Sequence, residues 1–400
     1  MNILVYVPYL GQDWGGIRQY AVALLRLLAD DRSNHYFVYH NADDPEIMAV
    51  LGECRQFRHL RDGHSWAAKI GRRLIEPLNA VRSLGNGLAR QLGQDAPLPL
   101  RHQLDRFCQR HAIDIVHVPF PLVPHCTSAR LINTMHDVQE IHFPGFFSAQ
   151  ERAHRAAANL DFSGRADKIV VSYAHVQHDL ETYFGISPAK VRVVLLNMGK
   201  LWFEKYLDAP PVPLDFLPFE PPYLLYPANT WKHKNHLRLL EALALLKAQG
   251  TVVRLVCSGH LTPFYTSDIL PVVQQLGLAE QVHFVGVVAE AQLYALYRSA
   301  LGVVVPTLYE AGSFPLMESI LLGVPVVCSR VTSLPETIDN AAFTFDPAVA
   351  ADIARAVAQL WTSAPFRADS RQNSLRVSRN LRETHALEKF LALYQDCVNP

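Results

Sequence analysis

Short apolar runs alternate with helical patterns along this chain, and the alternation occurs twice, once on each side of a proline-rich segment. The strand-like runs lie at residues 3–7, 113–118, 130–134, 168–171, 191–195, 223–226, 252–257, 282–285, 301–305 and 325–328. Helical patterns lie between them, at 19–28, 236–248, 270–275, 291–299 and 316–322. Such alternation is typical of parallel sheets with crossover helices. The sequence therefore predicts an α/β fold of two tandem, Rossmann-like, doubly wound domains.

The proline-rich segment marks the predicted boundary between the domains. Residues 208–222 contain six prolines in fifteen residues, a composition typical of a linker. We expect a first domain at 1–207, a second at 223–380, and a last helix within 381–400 that crosses back. Ligands of doubly wound sheets bind at the carboxyl ends of the strands, so a cleft between the domains is the expected site.

Composition narrows the classes of partner. Half of the 400 residues are apolar, enough for two cores, and 37 basic residues balance 37 acidic ones. With zero net charge, no nucleic-acid partner is expected. The six cysteines are scattered without a Cys-x-x-Cys pair, which indicates reduced thiols in a cytoplasmic protein. The N-terminus is interpreted as a strand rather than a targeting segment, and no transmembrane helix is expected.

The segment from Glu310 to Glu318 is the most informative motif. It follows a buried strand, carries Gly312 in a turn, and has Pro315 where a helix is expected to begin. Glu318 is expected in that helix's first turn. Backbone N–H groups at a helix N-terminus bind phosphate, and carboxylates accept bonds from sugar hydroxyls. The segment therefore predicts a sugar-nucleotide site, with Ser313 and Phe314 offering their N–H groups. Alternatively, the two glutamates merely start a loop and complement the helix dipole.

Two further loops carry candidate phosphate contacts. Gly15 and Gly16 follow the first strand and precede a helix expected near Arg18, so the backbone there could approach a ligand closely. Lys232 and Lys234 follow another strand, where they could neutralise a leaving diphosphate. The alternatives are an ordinary glycine loop and a solvated basic turn.

Histidines supply two further candidates. His136 and Asp137 end a strand of the first domain, where His136 could contact donor sugar or acceptor and Asp137 could orient it. A purely structural role is the alternative. His233 and His236 are spaced like metal ligands but have no third ligand nearby, so no metal site is expected.

Taken together, the motifs of the second domain resemble the retaining GT-B glycosyltransferases of family 4 (glycosyl transferases group 1). The matching stretches follow the family's order and spacing at 282–286, 293–300, 305–307, 310–318, 323–327 and 334–337. The first domain matches only at its glycine pair and at His136-Asp137. Residues 54–110 match nothing in the family.

The resemblance implies a role for each matching position. Glu310 would hold the donor sugar, Glu318 the ribose, and the backbone at 312–314 the distal phosphate. Lys234 would bind phosphate and His136 would lie near the donor sugar, with Glu310, His136 and Lys234 as the catalytic candidates. Asn229 stands where the family has an arginine, so either Lys232 or Arg18 supplies that charge or donor binding is weaker. The family also implies retention of the anomeric configuration without a metal or other cofactor.

The resulting hypothesis is a hexosyltransferase that uses a nucleotide diphosphate sugar, GDP-mannose first, and a glycan or lipid-linked acceptor of cell-surface polysaccharide or lipopolysaccharide synthesis. Two alternatives remain: a GT-B glycan phosphorylase, and a non-catalytic sugar-nucleotide binding subunit. Residues 65–92 combine five basic residues with apolar residues at near-helical spacing. That pattern predicts either contact with the inner face of the plasma membrane or an ordinary surface helix.

Overall fold

The computed structural model describes residues 1–7, 15–40, 45–53, 57–61, 103–121, 124, 126–196, 203–210 and 212–399. Within them, two parallel sheets of seven and six strands are covered by helices. The predicted fold class, two doubly wound α/β domains, is confirmed.

The first sheet has the order β3-β2-β1-β4-β5-β6-β7, so the order reverses between β1 and β4. Its strands are Asn2–Val7 (β1), His35–His40 (β2), Phe57–Arg61 (β3), Ile115–Val118 (β4), Arg130–Thr134 (β5), Lys168–Val171 (β6) and Val191–Val193 (β7). Its helices are Gly15–Leu28 (α1), Pro45–Glu53 (α2), Gln103–Arg110 (α3), Gln139–His142 (α4), Ala149–Arg165 (α5) and Ala174–Phe184 (α6). Ile3, Leu4 and Val5 are fully buried because helices cover both faces of a parallel sheet. This explains why its strands read as continuous apolar runs.

The second sheet has the order β10-β9-β8-β11-β12-β13, and its order reverses between β8 and β11. Its strands are Leu224–Pro227 (β8), Leu255–Ser258 (β9), Val282–Gly286 (β10), Gly302–Val305 (β11), Val326–Ser329 (β12) and Thr344–Phe345 (β13). Its helices are His236–Ala248 (α7), Leu270–Gln275 (α8), Glu290–Ser299 (α9), Phe314–Leu322 (α10), Leu334–Ile338 (α11), Ala350–Thr362 (α12) and Ala364–Arg382 (α13). A π-helical turn, Tyr265–Ile269, precedes α8, and short 3-10 turns lie at Pro144–Phe146, Pro188–Lys190, Glu204–Tyr206, Lys232–Lys234 and Ala341–Phe343.

The C-terminal region differs from the single helix expected from about residue 381. The helix α13 ends at Arg382, and a separate helix, Ala386–Val398 (α14), follows. His385 has a φ of 49°, a left-handed conformation that cannot continue a right-handed helix. The break redirects the chain, because α13 packs on the second core whereas α14 packs on the first.

The crossing of the last helix back to the first domain is confirmed. Phe390 and Tyr394 of α14 are fully buried in the first core. The Tyr394 hydroxyl lies 2.8 Å from Nδ1 of the buried His117 on β4. The first core therefore needs residues from both ends of the chain.

The residues just before and just after the segment 197–202 belong to different hydrophobic cores. Leu196 belongs to the first core and Phe203 to the second. The role of residues 208–222 as the domain boundary stays a prediction. Five cysteines, Cys108, Cys126, Cys257, Cys328 and Cys397, are buried free thiols, as expected, whereas Cys54 lies outside the described residues. None of the described helices is long and apolar enough to cross a lipid bilayer.

Candidate functional site

A cleft of about 980 Å³ lies between the two domains. His136, which follows β5, lines it from the first domain, and Lys234 and Glu310, which follow β8 and β11, line it from the second. The cleft thus lies at the carboxyl ends of the strands, where ligands of doubly wound folds bind. Three residues that were predicted separately from the sequence are brought to one cavity.

Lys234 and Glu310 meet at the point where the strand order of the second sheet reverses. The Nζ atom of Lys234 donates to Oε1 of Glu310 at 2.6 Å, and the two side chains are 18% and 6% exposed. Adjacent strands whose connections run in opposite directions leave a crevice between their following loops. The ion pair lies in that crevice, so a charged group and a hydroxyl acceptor are held side by side.

Hydrogen bonds fasten the loops that carry this pair to each other. The His233 carbonyl accepts from the backbone N–H of Leu308 at 2.8 Å and from the Thr307 hydroxyl at 3.0 Å. The side-chain amide of Asn235 donates to the Pro306 carbonyl at 2.9 Å. Because these bonds fix one loop against the other, the position of Lys234 relative to Glu310 is set before any ligand binds. Sequence reasoning missed Asn235, although an asparagine directly before a helix is a recognised signal for a helix start.

The helix α10 presents its N-terminus to the cleft, and it starts one residue earlier than predicted. Ser313 is its N-cap, with its Oγ atom accepting from the Leu316 N–H at 3.5 Å, so Pro315 is the second helical residue. Proline is tolerated there because first-turn N–H groups have no intrahelical acceptor. In the part of the chain that the structure describes, the N–H groups of Gly312 and Phe314 have no protein acceptor. The geometry suits an anion at this helix end.

Glu318 lies in the second turn of α10, so the expectation that it occupies the first turn is wrong. Its side chain lines the cleft while being 7% exposed. The buried Tyr297 hydroxyl donates to Oε2 of Glu318 at 2.6 Å. A hydrogen bond to a carboxylate is stronger than one between neutral groups, so Tyr297 fixes this acceptor in place. No sequence signal connects Tyr297 to Glu318, because the two residues lie on different helices.

Gly312 is required for a close approach rather than for an unusual backbone angle. A Cβ atom added at Gly312 would lie 2.7 Å from Cε2 of Tyr173, which belongs to the first domain. Any side chain at this position would therefore push the two domains apart or displace the tyrosine ring. Tyr173 was not among the predicted residues, since the contact joins distant parts of the chain.

His136 is held at the cleft wall by the backbone of the neighbouring strand. Its Nε2 atom donates to the Pro119 carbonyl at 2.9 Å, and its ring packs edge-on against Tyr20 with centroids 4.8 Å apart. Because a carbonyl only accepts, the neutral ring must carry its proton on Nε2 and a lone pair on Nδ1. Burial lowers the pKa of His136 to about 4, so the ring is neutral near pH 7.

Asp137 does not orient His136, contrary to the expectation. Its carboxylate instead accepts from the backbone N–H of Gln139 at 3.4 Å, and the Pro119 carbonyl holds the histidine. Burial raises the pKa of Asp137 above its usual range. Asp137 also lines the cleft, so it contributes an acidic group to the same wall.

Several predicted donor-binding residues lie outside the described lining of the cleft: Arg18, Asn229, Lys232 and Ser313. The Asn229 side chain accepts from the His260 N–H at 2.7 Å, and the Lys232 ammonium lies 5.6 Å from the centre of the Phe264 ring. Phe264 thus holds Lys232 away from the pair formed by Lys234 and Glu310. Ser313 acts as the helix cap described above.

The glycine pair belongs to a helix rather than to a loop. The helix α1 begins at Gly15, earlier than the expected start near Arg18, so Gly15 and Gly16 form its first turn. Ile17, Gln19 and Tyr20 of the same helix line the cleft. The donor-binding roles proposed for the glycines and for Arg18 stay predictions.

Among the described residues no three histidine, cysteine, aspartate or glutamate side chains gather as a metal site requires. His236 packs against Tyr226 and Phe284 at centroid distances of 4.8 and 5.8 Å, away from the cleft lining. Burial lowers the pKa of both His233 and His236 to about 3. Residues 65–92, the predicted membrane-contacting stretch, lie outside the described residues.

Comparisons with known proteins agree with this architecture. Residues 216–377 match the family model of the glycosyl transferases group 1. O-antigen chain mannosyltransferase B of Escherichia coli is 31% identical over 188 residues, which cover 46% of this chain and 43% of that protein. An uncharacterized glycosyltransferase of Methanocaldococcus jannaschii is 42% identical over 246 residues, covering 59% of this chain and 61% of the relative. The chain therefore matches less than two thirds of the length of either relative.

Among solved structures, Anabaena HepE in complex with UDP-glucose superimposes with a TM-score of 0.66 at 14% identity, covering 99% of both chains. At that identity the likeness concerns the fold alone. The resemblance to the GT-B, group 1 family that the sequence motifs indicate is confirmed: in sequence for the second domain and in fold for the whole chain.

Proposed function

We propose, from a second domain that matches the group 1 glycosyl transferases and a chain with the GT-B fold, that this protein is a retaining glycosyltransferase. It would transfer a hexose from a nucleotide diphosphate sugar to a glycan or lipid-linked acceptor. The observation that carries the proposal is the Lys234–Glu310 pair at the β8/β11 crevice, beside the N-terminus of α10 and across the cleft from His136.

The chemistry of the pocket suits this reaction. The Lys234 ammonium and the N–H groups at 312–314 would neutralise the diphosphate as the bond from the anomeric carbon to the phosphate oxygen breaks. Glu310 would accept from sugar hydroxyls, and Glu318, fixed by Tyr297, would accept from the ribose. The Nδ1 atom of His136 would accept a hydrogen bond from a substrate hydroxyl, because Nε2 already donates to the Pro119 carbonyl.

In the proposed retaining reaction, the acceptor hydroxyl attacks on the face from which the nucleotide leaves. Its proton passes to the departing phosphate oxygen, so no charge is created on the sugar at the end of the step. No metal is required in this scheme because protein cations and the helix N-terminus supply the positive charge.

We infer GDP-mannose as the first donor to test. The Escherichia coli relative is named a mannosyltransferase of O-antigen synthesis, which favours mannose and a cell-surface polysaccharide or lipopolysaccharide product. The Anabaena neighbour is a complex with UDP-glucose, so UDP-glucose is the main alternative donor.

We place the activity at the cytoplasmic face of the plasma membrane, with residues 65–92 as the segment that contacts the membrane. Failure to float with anionic vesicles would remove that contact.

A thermal-shift panel of nucleotide sugars, followed by transfer assays with the stabilising donor, tests the proposal. A ligand at a hundred times its dissociation constant stabilises the folded state by about 2.7 kcal/mol, a shift that is easily measured. Glu310→Ala should abolish transfer. Full turnover by this variant would contradict the role proposed for Glu310. Nucleotide-sugar binding without transfer by the wild-type chain would favour a non-catalytic binding subunit, and strict dependence on inorganic phosphate would favour a phosphorylase.

A further inference from the structure

Tyr309 is a second-domain residue whose side chain is buried in the first domain. It directly precedes Glu310 and is 2% exposed. Its hydroxyl oxygen accepts from the backbone N–H of Val138 at 3.3 Å. Val138 lies two residues after His136, so this hydrogen bond joins the two walls of the cleft.

The Tyr309 socket is formed by three first-domain rings: His142, Phe143 and His175. Their centroids lie 5.3, 6.1 and 6.4 Å from that of Tyr309. The His142 ring is itself anchored, with Nε2 2.8 Å from Oδ2 of Asp179 on α6. Because the rings surround Tyr309 and a hydrogen bond fixes its far end, the tyrosine has a defined position relative to the first sheet.

On the other side of Glu310, a tyrosine of the first domain contacts the second domain. Tyr173 of the first domain packs on Gly312 and places its hydroxyl 3.5 Å from Sδ of Met317 on α10. The loop 309–312 is therefore held by the first domain on both sides of Glu310. Its register does not depend on a single contact.

We propose that Tyr309 is a positioning residue that sets the Glu310 carboxylate against His136 for transfer. The path between these residues consists of Glu310, Tyr309, one hydrogen bond to Val138, and Asp137. A displacement of the tyrosine is thus passed directly to Glu310. The catalytic half of this inference rests on the proposed function.

The proposed contacts with the nucleotide part of the donor do not need Tyr309. Lys234 is tied to the loop after β11 by bonds within the second domain, and the Ser313 cap and the Tyr297–Glu318 bond also lie there. Loss of the Tyr309 bond should therefore leave nucleotide binding in place while reducing turnover. A tyrosine that served only for packing would lower stability without this separation.

The test compares Tyr309→Phe with Tyr223→Phe in the full chain. Tyr223 is a matched control because it is fully buried and donates to the Leu296 carbonyl at 3.0 Å within the second domain. Three readouts are used: kcat and donor KM for transfer, thermal shift with GDP and UDP, and hydrogen–deuterium exchange of the Val138 amide. The first requires the proposed activity, whereas the last two do not.

We expect Tyr309→Phe to lower kcat about tenfold through misplacement of Glu310, which corresponds to about 1.4 kcal/mol of lost transition-state stabilisation, with donor KM within about twofold. Hydrogen–deuterium exchange of the Val138 amide should become at least about tenfold faster. Tyr223→Phe should change neither kcat nor this exchange rate. Unchanged kcat or unchanged Val138 exchange would overturn the inference. If the wild-type protein transfers no sugar, the proposed function fails, and Val138 exchange alone decides whether Tyr309 joins the walls.

Discussion

Replacement of Lys234 by methionine removes one charge from a buried ion pair of the cleft while keeping a side chain of similar length. Glu310 would then retain its charge at 6% exposure without its partner at 2.6 Å. Removing one member of a buried pair costs about 3–5 kcal/mol because the remaining charge stays desolvated. Lys234 is 18% exposed, so water can reach the site, and we expect about 3 kcal/mol.

The loss should appear as a lower melting temperature of the second domain. For a unit of about 200 residues, 1 kcal/mol corresponds to about 2–4 °C, so the expected shift is about 6–12 °C. Differential scanning calorimetry and urea unfolding followed by circular dichroism measure it. Arg238→Met is the matched control because it breaks an exposed ion pair. The side chains of Arg238 and Glu241 in that pair are 44% and 43% exposed. That change should cost less than about 1 kcal/mol.

The double variant Lys234→Met/Glu310→Gln separates stability from function. With both charges removed, no carboxylate is left unpaired, so at least half of the lost stability should return. Transfer activity should stay absent, because the phosphate cation and the sugar acceptor are both missing. The reasoning is refuted if Lys234→Met is as stable as Arg238→Met, or if the double variant is less stable than the single one.

Three other changes probe the packing at the cleft and in the interior of the two domains. Gly312→Ala should cost about 1–3 kcal/mol because its Cβ would meet Tyr173 at 2.7 Å, and a double-mutant cycle with Tyr173→Ala should show favourable coupling; additive effects would contradict this. Burial lowers the pKa of His236 in the folded protein to about 3, whereas a histidine in the unfolded chain has a pKa of about 6.5. At pH 5 the unfolded chain therefore binds one more proton per such histidine than the folded protein does. The free energy of unfolding of the wild type should fall by about 2 kcal/mol per such histidine from pH 7 to pH 5. His236→Phe should flatten that profile in urea unfolding, with pH 8 as the baseline; an unchanged slope would argue against a buried neutral ring. Phe390→Ala in α14 should cost about 3–5 kcal/mol and lower the calorimetric transition of the first domain, not the second.

The elements of the second domain could be predicted because their signals are local. The helix His236–Ala248 has the predicted bounds, and the strand ending at Val305 was expected from its apolar run. Lys234 and Glu310 could be placed together because the carboxyl ends of parallel strands share one edge. Burial on both faces of a parallel sheet makes each strand a continuous apolar run, which can be recognised in consecutive residues.

The misses have other physical origins. Glu318 was assigned to the first turn of α10, but the Ser313 cap moves the helix start one residue earlier, which puts Glu318 in the second turn. The break at His385 lies between a helix packed on the second core and a helix packed on the first, and no glycine or proline marks it in the sequence. Lys232 turns towards Phe264, and no pattern near Lys232 encodes that ring. A local cap therefore decides the start of α10, whereas contacts between distant segments decide the positions of Lys232 and of the last two helices.

The proposed reaction also has one part that depends on contacts within a domain, donor binding, and one that depends on contacts between the domains, transfer. The donor half is built within one domain: its loops are tied by Asn235 and Thr307, and its carboxylates are fixed by Lys234 and Tyr297. Transfer also requires the first domain in register, and two tyrosines at the domain contact, Tyr309 and Tyr173, lie on either side of Glu310. A change at either tyrosine should therefore act on turnover far more than on nucleotide affinity. A change at Asn235 should act on both, because the Lys234–Glu310 pair itself would lose its register.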